Sequence, residues 1–463
     1  MQITVDDADL RAAFESLVSD LRDAGGRAYL VGGCVRDAIL GEAIRDLDVE
    51  VYGLDVETLQ SVLSRRFDLD VVGRSFGVLK IRHLAIDVAL PRRESKRGRG
   101  HRGFLVDGDP HMSLSEAASR RDFTINALAF DPESGELLDP AGGARDLEER
   151  RLRHVSEKFA EDPLRVLRGM QMAARFELRA DPGTVALCRS MEPEGLAPER
   201  IFEEWRKLVL KGRRPSLGLK FLRDSGWIDQ FPELRALIHC PQNPRWHPEG
   251  DVWIHTLHVM DAFADERLGD AWEDLVVGLA CLCHDLGKPI TTAFTEGAWR
   301  SPGHEEAGEA PTRSFLGLMS EQKKLADEVV PLVREHLRPI ALFKAGSGAA
   351  AVRRLARRVG RIDRLIRVCR ADHRGRPPIP WDGFPAGAWL LERAEALRVS
   401  SDAPSPLVLG RHLIALGLKP GRHFGPMLER CFEAQLDGAF ADLESGLDYL
   451  RTLQDFREAS GEG

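Results

Sequence analysis

The sequence lacks the features of a secreted, membrane-spanning or strongly basic protein. Its seven cysteines form no Cys-x₂-Cys pair and show no zinc-ligand spacing, which favours reduced thiols in a cytosol over a disulfide framework. The start, MQITVDDADL, has neither the basic region nor the apolar core of a signal peptide, and no apolar run approaches the roughly 18 residues of a membrane helix. A net charge of −8 gives no global attraction to RNA, so RNA binding would depend on local basic patches. We therefore expect a cytoplasmic protein without a membrane segment.

The most informative segment is YLVGGCVRDAILGEAIRDLDVEVYG, residues 29–53. An apolar strand runs into a turn at Gly32 and Gly33, where the missing Cβ lets backbone N–H groups approach a triphosphate. A helix follows whose N-terminus favours the same anion, and Arg36 lies one turn in, able to clamp a phosphate or ribose oxygen. The segment predicts a strand, a phosphate-binding turn and a helix.

Carboxylates follow on the next predicted strand, LDVEVYG. Because side chains alternate along a strand, Asp46 and Asp48 project to one side and can bridge two Mg²⁺ ions for in-line phosphoryl transfer. Asp87, in the alternating segment IRHLAIDVALP, is our candidate for a third catalytic carboxylate on a neighbouring strand. Each motif by itself is more often an ordinary turn or a solvated strand end. Their joint occurrence on successive predicted strands predicts a nucleoside triphosphate site.

A third segment, EDPLRVLRGMQMAARF, predicts a helix with one polar face. Asp162, Arg165 and Arg168 lie three residues apart and would share that face. A carboxylate beside guanidinium groups offers the acceptors and donors that read the Watson–Crick edge of a base. By itself the segment is more simply a surface ion-pair helix, but after a triphosphate site base reading is the better interpretation.

Together these segments resemble the class II tRNA nucleotidyltransferase and poly(A) polymerase family, whose members build or repair the CCA end of tRNA. The resemblance covers about the first half of the chain and rests on GGCVRD with DLD, RRDFTINALA, DPAGGARDL, EDPLRVLR and RIFEEWRKLVLKG, in family order. It implies metal ligands at Asp46 and Asp48. It also implies nucleotide contacts from Gly33, Arg36 and Arg121, and a protein template for CTP or ATP made of Asp162 and Arg165 with support from Arg168.

Two positions depart from the family pattern. Gln171 stands where members commonly have a further arginine, and Met172 where they have an aromatic residue. An enzyme that adds only A, either the last A of CCA or a poly(A) tail, therefore stays open as an alternative within the same fold. Candidate contacts for tRNA are the basic loop at residues 91–103 and four neck residues, Lys207, Lys211, Arg213 and Arg214.

The second half carries a separate set of histidines and aspartates. DVWIHTLHVMDAFAD and LVVGLACLCHDLGKP both predict helices, and the second ends at a His-Asp pair. In chain order the set is His255, His284, Asp285, His304, His336 and Asp372. Imidazole and carboxylate ligands from several helices suit a borderline divalent ion, and a shared aspartate can bridge two ions. Such ions activate water for attack on a phosphate ester.

This ordered set resembles the HD-domain metal-dependent phosphohydrolases, over roughly residues 246–382. The resemblance implies four principal ligands, His255, His284, Asp285 and Asp372. His304 and His336 would complete a second metal position, and the HD site would hold Ni²⁺, Mn²⁺, Co²⁺ or Mg²⁺. We interpret His258 and His373 as structural. An HD domain behind a class II head is similar to a subgroup of bacterial CCA-adding enzymes that also have phosphatase and 2′,3′-cyclic phosphodiesterase activity.

The breaks in the sequence predict an α+β chain with four parts. These are a small mixed-sheet head at residues 1–150, a helical neck at 151–240, an HD domain at 245–385 and a helical tail at 400–463. CPQNPRWHPEG, residues 240–250, is rich in proline and polar residues and is interpreted as a linker. The tail resembles the segment of CCA-adding enzymes that holds the tRNA elbow; here it either does so or closes the HD domain.

We therefore interpret the chain as a tRNA nucleotidyltransferase with tRNA, ATP and CTP as partners and Mg²⁺ in its head. An alternative from a different class is an HD phosphohydrolase whose head only binds nucleotide or RNA. A non-catalytic RNA-binding adaptor is disfavoured because both ligand sets are complete, and clustered carboxylates repel one another unless a metal compensates. The sequence leaves the oligomeric state undetermined.

Overall fold

The computed structural model describes residues 3, 5–70, 78–96, 104–320 and 322–460. They divide into two compact units, Met1–Gln230 and Phe231–Gly463. The bounds of the four predicted parts stay a prediction. Within the described ranges, no helix combines the length and the apolar character needed to cross a membrane. All seven cysteines are buried free thiols, as the composition predicted.

The first unit contains a mixed β-sheet. Its strands, in chain order, are β1 Arg27–Val31, β2 Leu47–Tyr52, β3 Leu69–Asp70, β4 Val78–Ile81, β5 Ile86–Ala89, β6 Arg92–Lys96, β7 Phe104–Gly108, β8 Ala129–Asp131, β9 Glu136–Leu138, β10 Arg151–Leu152 and β11 Arg179–Ala180. Seven of them form one sheet in the order β3-β4-β5-β2-β1-β8-β9. In that sheet β2 and β5 are parallel, whereas the other neighbours are antiparallel. The predicted mixed-sheet head is confirmed.

Side chains of β2 point alternately into the hydrophobic core and towards the candidate site. Leu47, Val49 and Val51 are buried, whereas Asp48 between them is accessible. A strand with one apolar and one polar face buries the first and leaves the second for chemistry. The basic loop predicted at residues 91–103 contains the strand β6, which pairs with β7 after the loop in an antiparallel hairpin. Residues 97–103 lie outside the described residues.

Helices complete the first unit. They are α1 Ala8–Asp23, α2 Gly33–Ile39, α3 Val56–Leu63, α4 Leu114–Ala118, α5 Gly143–Glu148, α6 Leu164–Phe176, α7 Pro182–Arg189, α8 Pro198–Lys211 and α9 Pro215–Asp224. The predicted EDPLR helix corresponds to α6, which packs against α8 and α9. Because α6 begins at Leu164, Asp162 precedes the helix instead of lying on it; Pro163 occupies the N-cap position.

The second unit is helical apart from one hairpin, β12 Ala293–Thr295 with β13 Ala298–Arg300. Its helices are α10 Pro232–Arg235, α11 Val252–Asp265, α12 Ala271–Cys283, α13 Lys288–Thr291, α14 His304–Ala307, α15 Glu309–Gly317, α16 Lys323–Glu335, α17 Arg338–Lys344, α18 Ala349–Val359, α19 Ile362–Arg374, α20 Pro385–Ala396, α21 Gly410–Ala415, α22 Phe424–Asp437, α23 Leu443–Thr452 and α24 Gln454–Ser460. Nearly every residue of α12 from Asp274 onward is buried, so this helix is central, and α11, α16 and α19 pack on it.

The tail follows its predicted pattern of helix, turn and helix. α21 and α22 are separated by a turn in which Gly417 has φ 89°, a conformation that favours glycine. Buried side chains from Val408 to Phe456 form a cluster of their own. The tail therefore has its own small hydrophobic core.

Candidate active sites

The turn between β1 and α2 forms one wall of the first site. Gly32 has φ 76°, and a Cβ there would lie 2.8 Å from Nη1 of Arg121. A side chain at this position would therefore be strained and would collide with a cation of the site. Gly33 begins α2, so the phosphate-binding turn has the predicted strand, turn and helix.

Two of the predicted catalytic carboxylates lie on neighbouring interior strands of the sheet, and the third directly precedes one of these strands. Asp48 on β2 is in register with Asp87 on the parallel strand β5, and Asp46 precedes β2. Desolvation raises the pKa of Asp48, and the charge of Asp46 raises it further, while Arg121 opposes the rise. Asp87 also forms an ion pair of 2.8 Å with Lys80. Negative charge concentrated in this way is what a divalent cation relieves.

Among the described residues, these three carboxylates do not bring their oxygens within 4.8 Å of one another as a group. Asp48 lines the adjacent cavity, and Asp46 and Asp87 lie outside its lining. The assignment of all three as catalytic stays a prediction. Carboxylate oxygens are nonetheless the ligand type that Mg²⁺ prefers, so the donor set fits that ion.

All seven residues predicted to bind nucleotide line one cavity of about 530 Å³. They are Gly32, Gly33, Arg36, Arg121, Asp162, Arg165 and Arg168. Nine basic side chains line it against four acidic ones, and this excess of positive charge suits a triphosphate. The sequence did not predict four of these cations as nucleotide contacts, Arg92, Arg120, Arg175 and Arg200; Arg92 is predicted only as part of the basic loop that could contact tRNA.

A buried hydrogen-bond chain fixes two of the cations. Arg36 donates to Oδ1 of Asn126, and the Asn126 amide donates to Asp122 over 2.9 Å. Asp122 then pairs with Arg168 over 2.6 Å. Although burial alone would raise the pKa of Asp122, Arg168 and hydrogen-bond donors lower it to about 2. The segment RRDFTINALA therefore connects α2 to α6 through Asp122 and Asn126, a role that its sequence did not predict.

The two residues of the predicted template already have protein partners. Asp162 accepts a hydrogen bond of 3.0 Å from Arg200. Arg165 donates to the backbone carbonyl oxygens of Lys158 and Arg120 over 2.8 and 2.7 Å. Both side chains line the cavity, so they can offer a base only the hydrogen-bonding capacity that these partners leave. Their role in base selection stays a prediction.

The two positions that depart from the family pattern also face this cavity. Gln171 is 3% exposed, and its Oε1 is buried without a hydrogen-bond partner among the described residues. Met172 accepts a contact of 3.3 Å from the Asn126 amide. Both positions therefore border the cavity that the predicted nucleotide-binding residues line.

In the second unit, three histidines make the same local hydrogen bond to the backbone. The Nδ1 atoms of His284, His304 and His336 lie 2.7, 2.8 and 2.6 Å from the carbonyl oxygen three residues earlier in the chain. Because a carbonyl only accepts, each Nδ1 carries the hydrogen and each Nε2 keeps its lone pair. Each ring therefore presents Nε2 as a metal ligand.

These rings belong to two overlapping groups that share Asp285. The ligand atoms of His255, His284 and Asp285 lie within 4.8 Å of one another, as do those of Asp285, His304 and His336. Asp372 completes the predicted set, since its Oδ1 lies 3.1 Å from Nε2 of His255. The structure thus brings all six predicted residues together, and Asp285 belongs to both groups.

The protonation states of His336 and Asp285 suit a metal. Burial lowers the pKa of His336 to about 3, and the imidazoles of His284 and His304 lower it too. Although burial alone would raise the pKa of Asp285, His284 and Lys288 hold it well below the usual range. Neutral imidazoles and ionised carboxylates are the forms that bind divalent cations. Although burial alone would lower the pKa of His255, Asp372 and Glu249 raise it to about 9, so this ring would have to lose a proton when a metal binds. The imidazole and carboxylate donors fit Mn²⁺, Co²⁺ or Ni²⁺, and Mg²⁺ less specifically.

Glu249 is a residue of this site that the sequence did not reveal. Its carboxylate lies 2.8 Å from Nδ1 of His255 and 2.9 Å from Nδ1 of His247. The Glu249 side chain is 0% exposed, and although burial alone would raise its pKa, His247 and His255 lower it to about 2. The segment predicted as a linker thus supplies the carboxylate that orients His255. No periodic pattern marked it, because the segment is irregular.

Fold and geometry together define a protein with a nucleotidyltransferase head and an HD-type metal cluster. Residues 28–153 match the Poly A polymerase head domain, and residues 252–372 match the HD domain. A multifunctional CCA protein of Xanthomonas campestris pv. campestris is 38% identical over 434 residues, which cover 90% of this chain and 99% of that protein. The chain belongs to this family of bacterial multifunctional CCA proteins.

Solved structures agree in fold. A Bacillus stearothermophilus CCA-adding enzyme in complex with CTP superposes with a TM-score of 0.64 at 22% identity, covering 96% of this chain and 99% of that one. A Thermotoga maritima CCA-adding enzyme complexed with tRNA_CCA gives a TM-score of 0.58 at 20% identity, covering 97% and 99%. At these identities the matches support the fold.

Proposed function

We propose that this chain adds or repairs the 3′-terminal CCA of tRNA from CTP and ATP without a nucleic-acid template. The observation that carries the proposal is the single basic cavity that Asp48, the Gly32–Gly33 turn and the EDPLR segment all line. Membership of the multifunctional CCA proteins supports it. We infer that the reaction takes place in the cytoplasm, where tRNA is available.

In the proposed reaction, the 3′-hydroxyl oxygen of tRNA forms a bond to the α-phosphorus of the nucleotide and pyrophosphate leaves. Arg36 and the N–H groups at Gly32 and Gly33 would hold the triphosphate, and Arg121 would contact the nucleotide. Asp46 and Asp48, with Asp87 beside them, would hold Mg²⁺, which favours ionisation of the attacking hydroxyl and neutralises the leaving group. The chain itself contributes orientation and fixed charge.

The proposed template distinguishes bases by hydrogen-bond direction. Cytosine and adenine both carry an exocyclic amino donor beside a ring acceptor. Asp162 would accept from the amino group and Arg165 would donate to the ring, and Arg168 would hold the geometry. Uracil offers a carbonyl where Asp162 needs a donor, so UTP should be rejected.

Transfer RNA is the proposed partner of the basic neck. Burial lowers the pKa of Lys211, and Arg175 and Lys207 lower it further, because the positive charges are crowded; an RNA phosphate would relieve that crowding. Lys207 pairs with Glu204 over 2.9 Å, and Arg213 pairs with Glu42. These pairs would exchange for phosphate contacts when tRNA binds.

For the second unit we propose a metal-dependent phosphohydrolase. His255, His284, His304, His336, Asp285 and Asp372 would hold one or two divalent ions, which supply an activated water. The water oxygen would form a bond to phosphorus as the ester P–O bond breaks. The grouping of these six residues around Asp285 supports this proposal.

The test of nucleotide addition uses tRNA transcripts that end before CCA, after C and after CC. Each is incubated with Mg²⁺ and CTP, ATP or both, and products are resolved to single nucleotides. We expect addition of C, C and then A. Addition of A alone, and only to the CC-ending transcript, would favour the A-adding alternative, to which Gln171 and Met172 point. No addition to any transcript would leave a phosphohydrolase with a nucleotide-binding head.

A further inference from the structure

Two tryptophans at the HD cluster have no part in holding a metal. Trp246 and Trp299 line the same cavity of about 250 Å³ as His304, His336 and Asp372. Trp246 is 57% exposed and Trp299 is 37% exposed. Large aromatic rings left in water at the mouth of a polar site indicate a ligand with a flat apolar part.

Each ring is held in place by its own element. Trp246 donates its backbone N–H to the carbonyl of Asn243 over 3.0 Å, and the Arg245 guanidinium lies 5.1 Å from its ring centroid. Trp299 pairs across the β12–β13 hairpin with Phe294, edge to face at 5.2 Å. Two positioned rings are a platform on which a base can stack at little entropic cost.

Two cations of the same cavity are suited to a phosphate. Nζ of Lys288 donates to Oε1 of Gln242 over 2.6 Å and forms an ion pair of 2.8 Å with Asp285, so it keeps donor capacity for a ligand. Arg376 also lines the cavity, and its Nε is buried without a hydrogen-bond partner among the described residues. A phosphate between these cations would lie beside the metal ligands.

The cavity continues into a wider groove, so there is room for a nucleoside. The groove, of about 720 Å³, shares Gln242, Asn243, His247 and Trp299 with the cavity. Trp299 therefore stands at the junction between the phosphate-binding part and the open part. A ligand with a phosphate at one end and a ring at the other matches this layout.

We propose that the HD cavity binds a nucleotide whose phosphate lies between Lys288 and Arg376 and whose base stacks on Trp246 and Trp299. This inference rests on the proposed phosphohydrolase function and adds a base-binding subsite to it. Stacking on the two tryptophan rings would favour phosphate esters that carry a base over phosphate esters that carry none. It is tolerant of base identity because every base has an aromatic face.

The test compares two esters that differ only by the base, adenosine 5′-monophosphate and ribose 5-phosphate. With the metal-loaded full chain, Trp246→Ala and Trp299→Ala should each lower kcat/KM for the nucleotide about 10-fold and leave that for ribose 5-phosphate unchanged. Trp299→Phe should restore most of the loss. Phe343→Ala is the matched control, because Phe343 is an aromatic residue, 41% exposed, on a helix of the same unit and outside the cavity.

Equal losses on both esters would overturn the proposal and make the tryptophans structural, as would a wild-type chain that hydrolyses the two esters equally well. Calorimetric titration measures binding of adenosine 5′-monophosphate without requiring hydrolysis, so it tests the base-binding subsite separately from the proposed phosphohydrolase activity. A non-hydrolysable CTP analogue fills the head cavity during the titration, so that only binding at the HD cavity is measured. If neither ester is hydrolysed, weaker binding in the tryptophan variants still supports the subsite, and absence of binding by the wild type overturns it.

A third arm identifies the source of the nucleotide. It compares adenosine 3′-monophosphate with a short oligoribonucleotide that ends in a 3′-phosphate. A higher kcat/KM for the oligoribonucleotide supports stacking of the last base of an RNA, and a higher value for the free nucleotide supports stacking of a mononucleotide.

Discussion

Replacing Glu249 by glutamine removes the charge that orients His255 while keeping the size of the side chain. The carboxylate accepts from two imidazoles over 2.8 and 2.9 Å and is 0% exposed, so water cannot replace it. Both rings contact the same oxygen, Oε1, so a glutamine oxygen can reach both, but as a neutral amide it is a weaker acceptor. The glutamine NH₂ would take the place of Oε2, which has no hydrogen-bond partner among the described residues, and would be left as an unpaired buried donor. The carbonyl oxygen of Gly375, 3.0 Å from the same Nδ1, would still hold the ring, but His255 would lose part of its basicity toward the metal.

The expected loss of metal affinity can be estimated from groups that hold a metal-binding histidine without contacting the metal. Removing the group that holds a metal-binding histidine typically weakens metal affinity about 10- to 100-fold, which corresponds to about 1.4 to 2.8 kcal/mol. Because Gly375 remains as an acceptor for His255, we expect a loss in the lower half of that range. Glu249→Asp, which keeps the charge but is shorter, should lose less affinity than Glu249→Gln.

The assay is calorimetric titration with Ni²⁺ in excess Mg²⁺, so that the head carboxylates are already occupied. Glu328→Gln is the control, because Glu328 is another carboxylate of the same unit, bonded to Trp272 and Arg364 and away from the cluster. Thermal unfolding in EDTA measures any general loss of stability separately. Wild-type affinity in a folded Glu249→Gln protein would refute the reasoning.

Two further predictions concern the head. Gly32→Ala places a methyl group 2.8 Å from Arg121 Nη1 on a residue with φ 76°, and we expect at least about 10-fold weaker CTP binding by calorimetry. Gly41→Ala is the control: its φ of 70° also strains an alanine, but no atom of the described residues beyond its chain neighbours lies within 4 Å of the added methyl group, so CTP binding should be normal. The pKa of Asp122 is about 2 in the folded chain against 3.8 ordinarily. Because its folded-state pKa is depressed, the ionised Asp122 should stabilise the fold by about 2 kcal/mol above pH 4. That contribution should be lost as the pH falls towards 2. Urea unfolding of wild type and Asp122→Asn across that range checks the difference, and a gap that does not shrink with acid would contradict the pairing with Arg168.

Local patterns were sufficient to predict much of the fold and site. The turn at Gly32, the alternation around Asp48 and the helix of the EDPLR segment each depend on a few consecutive residues, so their sequence signals are strong. The His-Asp pair at the end of an apolar helix is equally local. Predictions built on these signals agree with the strands and helices of the structure.

Contacts between distant segments could not be predicted in this way. The pairing of Asp122 with Arg168 and of Asp162 with Arg200 depends on how α6 packs against its neighbours, which no periodicity reveals. Glu249 lies in a proline-rich segment whose composition indicates a linker, although its fold is fixed by hydrogen bonds to His247 and His255. Irregular segments conceal functional residues because their conformation is set by tertiary contacts.

The central claim is that one chain carries two separate catalytic centres, and two variants test it directly. Asp48→Asn and Asp285→Asn are each assayed for nucleotide addition to tRNA lacking CCA and for metal-dependent hydrolysis of a phosphate ester. We predict that Asp48→Asn abolishes addition and keeps hydrolysis, whereas Asp285→Asn keeps addition and abolishes hydrolysis. Addition that survives Asp48→Asn, or both activities lost in one folded variant, would contradict the account.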